Sequence, residues 1–350
     1  MHHRRPVRGF TMVELLTTIA IIGLLLSILM PGVQSARETA RRSICGNNLR
    51  QIGLATANFV DLRGRLPPGQ YRDLALGPTA GSETFAWSGF LLDFLEQAQI
   101  APTSLTPPSS NPSEPAPDGR LCLKAALGSV WNQAATSTIV PTYLCPSASR
   151  VHPSREAGRI RDYDGTAGLD PQKFEGFACI DYAGNAGATA AARYPRTNGS
   201  PYPASRSAVG SAVPVSTGVL IDQPVGSLAQ GVSHKLITDG LSKTLLIVEL
   251  SGRGMTGTTG SGSPRGAWAS GRNCATIGPI DPALPLVNPI ASESTSWPDT
   301  PGNAIFSDHR RGAQVVMCDG AVDFIAEDIA DLVLVRMATK AEGESLSTNE

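Results

Sequence analysis

Residues 9–31 read Gly9-Phe10-Thr11-Met12-Val13-Glu14-Leu15-Leu16-Thr17-Thr18-Ile19-Ala20-Ile21-Ile22-Gly23-Leu24-Leu25-Leu26-Ser27-Ile28-Leu29-Met30-Pro31. From Phe10 to Met30 the run is apolar apart from Thr, Ser, Gly and one acid, Glu14. Roughly 20 residues at ~1.5 Å rise reach ~30 Å, the thickness of a bilayer's hydrocarbon core. Arg4, Arg5 and Arg8 precede the run, and positive charge in that position keeps an N-terminus cytoplasmic while the following chain crosses. A secretory signal peptide fits poorly, because the run is too long and no small-x-small cleavage site closes it. Glu14 is out of place in such a segment, since a carboxylate there is costly unless something pairs with it.

Outward from this run, the helix is expected to continue past Pro31 to about Phe59. Ile44, Leu49, Ile52, Leu54, Ala55 and Phe59 recur at helical intervals and would dock on a globular domain. Arg37, Arg41 and Arg42 read as a solvated face, and Leu66-Pro67-Pro68-Gly69 ends the helix. Beyond it the chain loses long periodicity. Trp87 to Gln99 reads as a short amphipathic helix, and the proline-rich tract 101–119 as a linker or insertion. Residues 187–216 and 251–304 are loop-like, with isolated Tyr194, Tyr202, Trp268 and Trp297. Candidate strands are Val219–Ile221, Thr244–Val248, Ala313–Met317 and Val322–Ile325, and no internal repeat is present.

The last two strands flank Asp319-Gly320, a strong two-residue hairpin signal. In that register Met317 faces Val322 and Val315 faces Phe324, giving one apolar side suited to the long helix. Val316–Asp323 and Gln314–Ile325 would occupy the other side. The fold class is therefore α+β: a long N-terminal helix packed on a mainly antiparallel sheet with long Gly/Pro-rich loops. The expected division is a leader at 1–9, a membrane half of the helix at 10–30 and an exported half at 31–60. A loop-rich domain follows at 61–335, ending in the 313–325 hairpin, and then a polar tail at 336–350.

Composition narrows the function. Lys+Arg 29 against Asp+Glu 30 leaves a net charge of −1, without the cationic surface that nucleic acid requires. Charged residues are only 17%, with Gly 36 and Pro 27, a turn-rich composition that argues against a mostly helical protein. No two of the six cysteines are spaced C-x-x-C, which removes zinc-ribbon and thioredoxin readings. In an oxidising compartment at least one disulfide is expected among Cys122, Cys145, Cys179 and Cys274. Cys45 and Cys318 read equally well as small buried apolar residues.

Gly9-Phe10-Thr11-Met12-Val13-Glu14-Leu15, after a basic leader, resembles the type IV prepilin processing motif. The resemblance implies that a prepilin peptidase cuts after Gly9 and that Phe10 is then N-methylated. It also implies that Glu14 pairs with a neighbouring subunit's N-terminal amine in an assembly. His309, followed after nine residues by Asp319-Gly320, resembles the His-x9-Asp-Gly signature of prepilin-type proteins containing domain of unknown function 1559. Arg42 to Gly53, Leu66 to Gly69, Leu91 to Gln97, Tyr143 to Ser147, Asp181 to Asn185 and Ile237 to Gly240 fit that family too.

What the resemblance implies is a pseudopilin-like structural subunit in the inner membrane, its body periplasmic or in a surface filament. Its partners would be the peptidase, other pilin or pseudopilin subunits and the lipid bilayer, with no nucleic acid. The setting would be a type II secretion or type IV pilus-like system. The alternative is a membrane-anchored module whose loops, with Trp87, Trp268 and Trp297, grip a glycan, peptide or secreted ligand. A Ser307–His309–Asp319 or His234/Asp239 catalytic set lacks a nucleophile elbow, so the chain is read as no enzyme. Asp308, His309, Asp319 and Asp323 would suit calcium but lack EF-hand spacing. The adopted reading is that no cofactor is bound, Asp319-Gly320 form the turn and His309 hydrogen-bonds nearby backbone.

Overall fold

The computed structural model describes residues 11–71, 85–103, 118–123, 130–148, 177–188, 217–220, 231–251, 266–271, 273–278, 285–288 and 305–341. Gly9, Phe10, Tyr194, Tyr202, Trp297 and most of the proline-rich tract lie outside them.

Helix α1, Met12–Arg63, is one 52-residue element with Pro31 in its interior. It starts on a capping box in which Thr11 and Glu14 bond each other's backbone N–H groups, and it stops at Gly64, whose φ of 73° is left-handed. Its N-terminal part is long and apolar enough to cross a membrane, and none of that part is buried against the rest of the chain. Burial begins at Cys45 and continues through Leu49, Ile52, Gly53, Ala55, Thr56 and Phe59. Ile44 and Leu54, expected to dock, are 49% and 63% exposed. They fall off the three- and four-residue spacing that keeps the buried stripe on one side of the helix.

The domain centres on a five-stranded sheet ordered β5-β3-β4-β6-β7. Its strands are β3 (Tyr182–Ala188), β4 (Leu245–Glu249), β5 (Cys274–Ile277), β6 (Gly312–Met317) and β7 (Val322–Ala326). All neighbours are antiparallel except the parallel pair β3–β5. A two-stranded ribbon, β1 (Gln70–Tyr71) with β2 (Phe85–Ala86), lies apart. The expected strand at 219–221 does not form where it is described, at 217–220. Strand β3 escapes sequence pattern because five of its seven residues, YAGNAGA, are Ala or Gly. Smallness is required there, since a Cβ on Gly184 would fall 2.7 Å from Leu220 and 2.9 Å from the Trp87 indole.

Trp87 and Trp268 are fully buried. Their indole N–H groups donate to the Asn273 and Thr138 carbonyl oxygens, which removes both from the set of loop aromatics available to a ligand. The expected Trp87–Gln99 helix is broken into α2 (Trp87–Phe90) and a 3-10 turn, Leu92–Leu95. A short α3, Val130–Thr136, follows.

The hairpin forms with its register displaced by one residue. Val316 pairs with Val322, Val315 with Asp323, Gln314 with Phe324 and Ala313 with Ile325. The reason lies in the turn. Met317 N–H donates to the Ala321 oxygen and Gly320 N–H to the Met317 oxygen, giving a three-residue loop in which Gly320 has a φ of 85°. A one-residue change exchanges the faces of β7. Val316 and Val322 therefore pack toward α1, while Val315, Met317, Ala313 and Ile325 join a second core. That second core is closed by α4, Asp331–Met337, through Leu334 and Val335. Packed residues extend past the expected boundary at 335, since the Lys340 carbonyl accepts from Thr238 N–H at 2.8 Å.

The hairpin reaches the helix closely because Gly53 has no side chain. A Cβ there would meet Val316 at 3.1 Å and the Gly320 carbonyl at 3.3 Å. Gly53→Leu is expected to destabilise by about 1–3 kcal/mol through overpacking. Gly320→Val should lose more than ~1 kcal/mol, because a β-branched residue tolerates positive φ badly. Denaturant titration followed by tryptophan fluorescence measures both.

Candidate functional site

Where the second half of α1 meets the sheet, the interface becomes polar. His309 sits on the approach to β6 and is 2% exposed. Its backbone N–H donates to Ser307 Oγ at 3.1 Å, but its ring does not turn to nearby backbone. Nδ1 lies 2.7 Å from Glu38 Oε1 on α1, a partner 271 residues away in sequence. Nε2 lies 3.6 Å from Cys145 Sγ and 3.6 Å from Glu249 Oε1.

Each neighbour arrives on a different element. Glu38 and Cys45 are two helical turns apart on one side of α1. Cys145 follows the 3-10 turn Pro141–Tyr143, and its N–H donates to Asp181 Oδ2 at 2.9 Å. Cys145 forms a disulfide with Cys45 across a sequence separation of 100. Of the four cysteines expected to supply a disulfide, Cys122, Cys179 and Cys274 remain thiols and Cys145 alone is bonded, to Cys45, which cross-links the helix to the domain rather than only filling an apolar position. Glu249 ends β4, fully buried, and its Oε2 accepts from Gln314 N–H at 3.1 Å. Its Oε1 has no hydrogen-bond partner among the described residues. Burial pushes the Glu249 carboxyl up to about 8, with the charges of Asp181 and Asp308 adding to the rise. Hydrogen bonds from Gln314 N–H and the Ser307 side chain oppose it. A groove of about 480 Å³ between the Pro31–Arg42 stretch of α1 and Asp308–Arg310 opens onto Glu38 and His309.

The residues singled out from sequence fall in three places. Glu14 is exposed in the first turn of α1, where its carboxylate accepts from Thr11 N–H at 2.9 Å and Thr11 Oγ1 at 2.8 Å. Asp319 and Gly320 form the hairpin turn, where Asp319 Oδ1 accepts from Ala321 N–H at 2.9 Å. Asp323 is exposed on β7 opposite Val315. Asp308 adjoins His309 but accepts from Ser251 Oγ at 3.2 Å. The calcium set of Asp308, His309, Asp319 and Asp323 is thus not assembled, and neither is a Ser307–His309–Asp319 relay. His309 instead joins Cys45, Cys145 and Glu249. Glu249 carried one legible signal in the sequence: an acid closing the otherwise apolar strand LLIVE.

A family model described as "Protein of unknown function (DUF1559)" matches residues 34–332. The chain belongs to this DUF1559 family. A second model, "Prokaryotic N-terminal methylation motif", matches residues 4–30. No curated protein and no solved structure matches the chain. The DUF1559 region contains Glu38, Cys45, Cys145, Glu249 and His309, and the methylation motif contains Gly9, Phe10 and Glu14. The motif and the apolar half of α1 mark a membrane-anchored, prepilin-type DUF1559 protein.

Opening a covalent loop of 100 residues relaxes the unfolded chain, so Cys45→Ser should lower stability by about 2–5 kcal/mol. His309→Ala, which removes a buried ring together with its bond to Glu38, should cost about 1–3 kcal/mol. Both are read by denaturant titration of disulfide-bonded, metal-free protein. Glu249 binds its proton more tightly folded than unfolded. Its contribution is complete below the ordinary 4.5 and is lost as pH rises through about 8. Stability should therefore fall across that window, and Glu249→Gln, neutral at every pH, should flatten the decline in thermal melts recorded at several pH values.

Proposed function

We propose that this protein is a non-enzymatic, pseudopilin-like structural subunit that assembles through the apolar half of α1. The observation that carries this reading is the division of α1. Its body-proximal half is buried from Cys45 onward, whereas none of its apolar half is buried among the described residues. Such a surface needs lipid before assembly and other helices afterwards. Glu14 gives the assembly its specificity. Its carboxylate is held at the helix start by Thr11, beside the position where cleavage after Gly9 creates a cation, the amine of Phe10. In a bundle that amine reaches a neighbour's Glu14, and the pair offsets the desolvation of both charges.

In this reading a prepilin peptidase processes the precursor and the mature chain keeps its N-terminus at the cytoplasmic side of the inner membrane. The DUF1559 domain lies in the periplasm or on a surface filament. The partners are copies of this chain or other pilin-like subunits of a type II secretion or type IV pilus-like system. The ligand-binding alternative loses support, because Trp87 and Trp268 are core residues.

Mass spectrometry of the mature protein is expected to find an N-methylated Phe10 at the terminus; a terminus near residue 30 would rule the reading out. Glu14→Ala should insert into membranes at least as well as wild type, because it removes a carboxylate from the apolar run. It should be missing from sheared surface filaments viewed by electron microscopy, and wild-type levels there would show that Glu14 has no assembly role.

A further inference from the structure

The surroundings of the Cys45–Cys145 disulfide exceed what a cross-link alone requires. One donor atom from each of Cys45, Cys145, Glu249 and His309 lies within 4.8 Å of the others, and all four residues are buried. Glu38, 2.7 Å from Nδ1, turns Nε2 of His309 toward the two sulfurs. A carboxylate behind an imidazole is the arrangement that fixes the tautomer and direction of a metal-bound histidine. Glu249 brings an oxygen, Oε1, that is buried and has no hydrogen-bond partner among the described residues; such an atom invites a proton or a cation. Two thiolates, an imidazole nitrogen and a carboxylate oxygen make a donor set suited to four-coordinate zinc. The sulfurs of a tetrahedral site with Zn–S bonds of about 2.3 Å stand about 3.8 Å apart, so ligation requires the S–S bond to open.

We propose that in the reduced protein Cys45, Cys145, His309 and Glu249 form a closed site for a thiolate-binding divalent cation of the zinc class, and that disulfide formation shuts this site. The chemistry balances through thiol–disulfide exchange. A dithiol reductant delivers two electrons and two protons to the Cys45–Cys145 bond and leaves as its own disulfide. The cation then takes the two sulfurs as thiolates and releases their protons to solvent. Either state ties α1 to the domain, covalently when oxidised and through the ion when reduced. The site is independent of filament assembly, because none of its ligands lies in the apolar half of α1.

The test uses the full chain in detergent. Protein treated with a phosphine reductant, then freed of it, is titrated with Co²⁺ alone and afterwards with Zn²⁺. One Co²⁺ per chain is expected, with thiolate-to-metal charge-transfer absorption and tetrahedral d–d bands that Zn²⁺ abolishes; oxidised protein gives neither. The thermal midpoint of reduced wild type should rise with Zn²⁺ and fall back on chelation, while that of oxidised protein stays fixed. Glu249→Gln and His309→Asn should weaken Co²⁺ binding by about 10-fold or more. Cys45→Ser should diminish the charge-transfer band, with circular dichroism checking that each variant is folded. The proposal is overturned if reduced wild type takes up no stoichiometric Co²⁺, if oxidised protein binds it equally, or if the reduced chain stays unfolded in Zn²⁺. Unchanged binding by Cys45→Ser also overturns it, by placing the ion on other thiols.

Discussion

The C-terminal half of α1 is held against β6, and the placement of everything else follows from that contact. Leu49, Ile52 and Phe59 enter the core there, and three such side chains supply on the order of 5–9 kcal/mol. That is comparable to the whole net stability of a typical domain. Gly46 and Gly53 lie one above the other on the contacting face. A Cβ at the first would meet Gln314 at 3.1 Å, and at the second Val316 at 3.1 Å. The helix therefore approaches the sheet at backbone distance along two turns, and this closeness fixes which face of β6 it covers. The opposite face is left to α4, which explains why β6 is buried on both sides.

The membrane-proximal end of the same contact is polar, and the two ends do different work. Apolar packing can slide along a stripe of similar side chains. By contrast, Cys45 bonded to Cys145, Glu38 on His309 and Gln314 Nε2 donating to the Arg42 carbonyl at 2.8 Å each allow one position. Arg42 lies with its guanidinium 3.4 Å from the centre of the Phe324 ring, adding a cation–π contact at the hairpin. The polar cluster stands where the apolar half of α1 begins, beside Pro31 and Gln34.

Sequence reasoning failed at particular residues for physical causes. The hairpin was located but paired one residue out. Asp319-Gly320 permits both a two-residue loop and a three-residue loop with Gly320 alone at positive φ, and the fit of Val316 over Gly53 decides between them. Strand β3 is mostly Ala and Gly and so makes no clear pattern, and at Gly184 Trp87 and Leu220 occupy the space a side chain would need. Trp87 and Trp268 read as loop aromatics because their flanks are rich in Gly and Ser. Their burial depends on carbonyl partners at Asn273 and Thr138, distant in sequence.

What the sequence determined by itself is whatever one dimension can encode. The length and hydropathy of residues 10–30 specify a membrane helix, the spacing from Cys45 to Phe59 specifies a buried stripe, and Gly64 and Gly320 specify where chain direction changes. These are properties of neighbouring residues, set by backbone sterics and helical period. The partners of Cys45, Glu249 and His309 belong to the other category. Cys45 lies 100 residues from Cys145 and His309 lies 271 from Glu38, and no local rule selects one distant partner over another. Only the docking of α1 on the sheet brings them within bonding distance, because that docking is the lowest-energy way to bury the helix's apolar stripe.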